Sequence, residues 1–138
     1  MFAKFLVGIV VAGLTLGAVS TQDAHADQRK VTVVFDRVLP NVPGMSMRGV
    51  LVEYGPGGAS PSHTHPASAF IYATVLEGAV RIQVDDEPEK IYHTGESFVE
   101  MPGSHHRVSA NASDTEPSRL LAVFVVKTEE TKLVTEDR

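Results

Sequence analysis

Apolar residues along the chain come in short runs separated by turn-forming clusters, and where a period is visible it is two. In Ala79–Val84 (AVRIQV), Val80, Ile82 and Val84 alternate with Arg81 and Gln83, the pattern of an antiparallel strand with one face buried and one solvated. Val31–Val38 (VTVVFDRV), Arg48–Tyr54 (RGVLVEY), Ser97–Met101 (SFVEM) and Leu120–Val126 (LLAVFVV) are equally short and rich in β-branched and aromatic residues, which favours strands. NVPG, GPGG, DDEP, TGE and PGS lie between them and turn the chain. The predicted class is all-β, a sandwich or barrel of many short strands. LLAVFVV has no polar member, so both of its faces are expected to be buried, by a second sheet or a second subunit. The charge-rich stretches Asp27–Lys30 and Glu129–Arg138 read as frayed termini.

Residues 1–26 follow a different rule. Lys4 precedes an almost unbroken apolar stretch, Phe5–Val19, and Ala24-His25-Ala26 offers a small-x-small cleavage site before Asp27, the organisation of a secretory signal peptide. The stretch is shorter than the roughly 20 residues that span a bilayer. The mature chain, residues 27–138, is therefore expected to be periplasmic or secreted, with no membrane attachment after cleavage. Its length suits a single domain with one core.

Composition then narrows the chemistry. There is no cysteine, so a transition-metal site has only His, Asp and Glu to draw on. A formal net charge of -5 and the lack of any Lys/Arg cluster argue against a nucleic-acid partner. Asp85-Asp86-Glu87-Pro88 reads as a solvated hairpin tip, because the ligand spacing of a calcium loop is missing. Asn111-Ala112-Ser113 fits a glycosylation acceptor.

His63 and His65 are two residues apart, a spacing that on an extended segment sends both imidazoles to one face. On its own the pair fits a metal site or two incidental strand histidines. A second stretch, Gly95–Asn111 (GESFVEMPGSHHRVSAN), repeats the grammar of turn glycine, short strand, Pro-Gly turn and histidine entering a further strand. Together the two stretches resemble the cupin superfamily. Gly57, His63, His65 and Gly78 match the first cupin motif (about 57–78), and Gly95, Gly103 and His106 match the second (about 95–111).

The resemblance implies a small jelly-roll β-barrel holding one divalent transition metal (iron, zinc, manganese, copper or nickel) on His63, His65 and His106. Three departures stand out. The glutamate of the first motif is absent, with Ala69, Phe70 or Ile71 in its place according to the direction of counting. Met101 stands where proline is common, and Asn111 is one place beyond the motif's asparagine. On Ser97–Met101 strand parity puts Glu100 with Phe98, opposite Val99 and Met101. If that face lines the cavity, Glu100 is positioned to orient a ligand histidine or to serve as the catalytic general base. His105 and His93 are expected outside the site, and Tyr72 and Arg48 in structural roles.

The functional expectation is an exported metallo-cupin acting on a small polar or anionic molecule, an enzyme of the oxygenase or isomerase type. A non-catalytic small-molecule-binding cupin, and a purely structural one, remain open alternatives at this level. A homodimer is expected from the apolar LLAVFVV strand and the exposed edges of a small jelly roll.

Overall fold

The computed structural model describes residues 28–138; the signal segment expected at 1–26 lies outside them. The described residues form strands and connecting turns with no helix. Ten-residue strands β1 (Arg29–Val38) and β2 (Met45–Tyr54) open the chain, followed by the two-residue β3 (Ala59–Ser60) and β4 (His63–Thr64). Then come β5 (Phe70–Glu77), β6 (Ala79–Val84), β7 (Lys90–His93), β8 (Ser97–Glu100), β9 (His105–Asn111), β10 (Ser118–Lys127) and β11 (Thr135–Glu136).

All pairings are antiparallel. One sheet runs β1-β2-β10-β5-β8 and the other β11-β4-β9-β6-β7, with β3 also pairing β9. The two inner faces enclose one apolar core, in the manner of a jelly roll. Strand alternation decides which residues enter it. In β10, Ser118, Leu120, Ala122, Phe124 and Val126 point inward and are buried, while Leu121, Val123 and Val125 on the other face are only half-buried. The expectation that LLAVFVV is buried on both faces thus holds fully for one face only.

Strand β5 was not evident from the sequence pattern. Its inner face, Ile71, Ala73 and Val75, is buried, but its outer face carries exposed Phe70 and Tyr72. With apolar residues on both faces, alternation leaves no trace. Gly78 then turns the chain into β6 at φ 68, and a Cβ there would sit 2.5 Å from the Pro117 carbonyl oxygen, so the residue must be glycine.

Both termini are corrected. Arg29 and Lys30 belong to β1. The C-terminal stretch returns across the molecule: β11 pairs with β4, Asp137 N–H donates to Ser62 O at 3.0 Å, and Leu133 packs on the core. Backbone pairing holds this tail, and backbone pairing leaves no mark on side-chain pattern.

Candidate metal centre

Two cross-strand relations bring the histidines together. His63 of β4 lies directly opposite His106 of β9, and the chain stays extended past β4, with His65 N–H donating to Ser104 O at 3.0 Å. His63 and His65 therefore reach the same interior face. A β-bulge at Arg107, where Gln83 faces Val108 and Val84 faces His106, breaks the parity of β9. As a result His106 and Ser109, three residues apart, both point inward.

All three imidazoles are buried, and their candidate ligand nitrogens lie within 4.8 Å of one another. Hydrogen bonds fix the ring orientations. His63 Nδ1 donates to Pro61 O at 2.7 Å and His65 Nδ1 donates to Leu133 O at 2.9 Å, so in both rings Nε2 is the free nitrogen. His106 Nε2 is buried with no partner, as is His65 Nε2.

Glu100 lies against this cluster of three histidines. Its carboxylate is buried, with Oε1 3.1 Å from His106 Nδ1 and 3.4 Å from His65 Nε2, yet Oε1 has no partner in hydrogen-bond geometry. Its strand, β8, pairs with β5 so that Glu100 stands directly opposite Ile71. Ile71 is one of the positions where the first motif's glutamate is missing. A carboxylate on the neighbouring strand thus faces one of the positions where the motif's glutamate is missing.

The electrostatics follow from burial. Desolvation pushes the Glu100 carboxyl up, but the His106 and His65 imidazoles outweigh it and hold the group down at about 2, so it is an anion. Desolvation also takes His63 down to about 4, leaving it neutral. For His65 burial acts downward and the adjacent Glu100 carboxylate more than compensates, for a net rise. Neutral or displaceable-proton imidazoles beside a fixed carboxylate are a donor set suited to a borderline divalent cation.

The cluster forms part of the wall of a cavity of about 420 Å³. Tyr54, Ser60 and Ser109 also line it; Tyr54 Oη is 2.6 Å from Ser60 Oγ and 2.9 Å from Ser109 Oγ, and burial raises the phenol's pKa. The sequence reading missed these hydroxyls, because the bulge at Arg107 that turns Ser109 inward has no sequence mark. It also missed the tail, whose Leu133 carbonyl orients His65.

The other singled-out residues lie elsewhere. His93 is exposed against Glu96, and half-buried His105 meets Asp137 and Ser62 at the surface. Tyr72 is exposed and bonds Ser97 Oγ, while Arg48 clamps Asp36 and the Thr128 and Glu130 carbonyls. Asn111 is buried, and its amide is spent on Gly55 O, Glu116 O and the Ser113 N–H. The folded chain therefore does not present it for glycosylation.

A model of the cupin domain matches residues 50–124, which contain all four buried groups. The chain belongs to this family. Among relatives, this cupin is 35% identical over 108 residues to a putative germin-like protein 2-2 of Oryza sativa subsp. japonica, covering 74% of the chain and 44% of that protein. It is 29% identical over 75 residues to the cupin-domain-containing oxidoreductase fogC of Aspergillus ruber, covering 54% of the chain and 36% of the relative. The chain thus spans less than half the length of either.

Solved structures agree in fold. An oxalate oxidase in complex with the substrate analogue glycolate superposes with a TM-score of 0.60 at 20% identity, covering 91% of the cupin and 62% of the oxidase. The DMSP lyase DddQ from Ruegeria pomeroyi gives 0.63 at 15% identity, covering 90% and 59%. A cupin-2 domain protein from Rhodospirillum rubrum gives 0.60 at 20% identity, covering 99% and 84%.

Proposed function

We propose that this cupin is an exported, periplasmic or secreted, metalloenzyme that holds one divalent transition metal on His63, His65, His106 and Glu100 and acts on a small molecule. The observation that carries the reading is the convergence of buried donors without partners. His65 Nε2, His106 Nε2 and Glu100 Oε1 are each removed from water with no hydrogen bond. Orphaned buried polar atoms each cost roughly 1–3 kcal/mol, and a cation bound by the histidines would satisfy the two imidazole nitrogens with the Glu100 carboxylate beside it.

Glu100 changes the choice of metal. Three neutral imidazoles alone suit zinc, iron, copper or nickel, whereas a nearby carboxylate favours manganese as well and cancels one charge of the ion. When bound, such a metal supplies Lewis-acid and redox chemistry at its open positions. The chain's own contribution is orientation and exclusion of water. The Pro61 and Leu133 carbonyls hold His63 and His65 in one tautomer each, with Nε2 facing the site. The β-sheet walls keep bulk solvent from the buried carboxylate.

Within the enzyme class an oxidase or oxygenase reaction is favoured over isomerisation. Support comes from the oxidoreductase named among the relatives and the oxalate oxidase among the fold neighbours. The deciding test is elemental analysis of residues 27–138, purified without a metal-affinity tag, beside His63→Ala and His106→Ala. About one metal per chain, lost in both variants, is the expected result. No stoichiometric metal after reconstitution with iron, zinc and manganese would refute the proposal.

A further inference from the structure

We infer that the substrate of this cupin carries an apolar body on a single metal-chelating acid or hydroxy-acid head, which narrows the small polar or anionic molecule expected from the sequence. The inference rests on the metal-binding reading and extends it to the rest of the cavity.

The metal cluster occupies only part of the lining. Beyond it the wall is apolar, with Val50, Val52, Leu120 and Phe124 from the sheet and Leu133 and Val134 from the C-terminal tail. At about 420 Å³ the space falls within the roughly 300–1,000 Å³ of sites for drug-sized ligands. A two-carbon acid held by the cluster leaves most of those apolar walls against water.

The polar groups away from the cluster are few and mostly neutral. Tyr54 Oη bonds both Ser60 and Ser109, and Thr131 lies in the tail. Among the described residues Arg29 is the one lysine or arginine of the lining, and it faces Glu136 at 3.6 Å. Glu100 repels a second anion. Among the described residues the cavity thus has one place for an acid group, at the cluster, and no unpaired lysine or arginine for another.

Strand β1 supplies the remaining argument. Val31 and Val33 face the cavity opposite their partners Val52 and Val50, yet they are 54% and 57% exposed. These are inner-face valines open to water at the cavity mouth. Covering them with a ligand's apolar body gains free energy in proportion to the area removed from water, and a small polar ligand would leave them bare.

Cobalt(II)-loaded protein provides the test, because the visible spectrum of the ion reports its coordination independently of turnover. Glycolate, oxalate, mandelate and 3-phenyllactate are titrated against it. The two aromatic hydroxy acids are expected to bind at least about tenfold more tightly than glycolate or oxalate. Val33→Ser and Leu133→Ser, both at incompletely buried positions, are expected to narrow that gap. Equal or tighter binding of glycolate or oxalate, or a gap unchanged in both variants, would overturn the inference. A protein that shows no bound-cobalt spectrum before any acid is added fails at the metal-binding reading, and this inference falls with it.

Discussion

Replacing Glu100 by glutamine removes a charge while keeping shape, and the structure says how much that should matter. Oε1 lies 3.4 Å from His65 Nε2, the nitrogen that faces the site, so an ion bound there is taken at about 4 Å from the carboxylate. Unit charges at that distance attract by roughly 4 kcal/mol at the effective dielectric of a protein site, and a dication feels about twice that. Desolvation of the carboxylate has already been met in folding, and the glutamine oxygen remains a weaker donor. A net loss of about 3 kcal/mol, or at least about 100-fold in affinity, is expected. Manganese is the most revealing probe, since it depends most on oxygen donors. Competition titration against a chromophoric chelator measures the effect, with circular dichroism checking that the variant is folded. The exchange variant Ile71→Glu/Glu100→Ile moves the carboxylate to the facing strand position and is expected to regain part of the affinity. Manganese binding by Glu100→Gln equal to that of the unaltered protein would refute the assignment of the carboxylate as a donor.

Two further outcomes follow from the same geometry. His63 is held down at about 4 by burial, so between pH 6.5 and 4 the unfolded chain takes up a proton that the folded one refuses. The His63 contribution is therefore complete above about 6.5 and is lost as pH falls through that window, by on the order of 2–3 kcal/mol. Urea midpoints of metal-free protein across pH 4–7 should show this slope, and His63→Gln should flatten it; equal slopes would dismiss the account. Ending the chain after Glu130 removes the Leu133 carbonyl from His65 and two apolar walls from the cavity. Metal affinity is expected to fall about tenfold with far-UV dichroism retained, and unchanged affinity would show that the tail is only a cover.

The fold was legible wherever one face of a strand met water. AVRIQV announces its inner face, and the parity of SFVEM put Glu100 with Phe98, both now seen buried. Strand β5 was hidden because Phe70 and Tyr72 make its outer face as apolar as its inner one. The histidines were legible through the resemblance: the two-residue spacing of His63 and His65 alone also fitted incidental strand histidines, and the second motif brought in His106. The partnership of Glu100 with Ile71 was not visible, because a cross-strand register between β5 and β8 is a property of the sheet and of neither segment. The tail was misread for a related reason. Its polar composition looks like a frayed end, and only the pairing of Thr135 and Glu136 with Thr64 and His63 reveals it as a strand.

The pairing of β2 with β10 joins Met45 to Lys127, and that of β4 with β9 joins His63 to His106. Such distant partners place this chain among slow folders, because the entropy of closing long loops is spent before the contacts repay it. The three histidines and Glu100 come from β4 and its continuation, β8 and β9, so they meet only when those late pairings exist. An ion therefore has nothing to template early in folding. Its influence falls on the reverse step, where every bond to it must be broken before the sheets can part. A metal bound at the proposed site would act as a brake on unfolding, while topology sets the speed of folding.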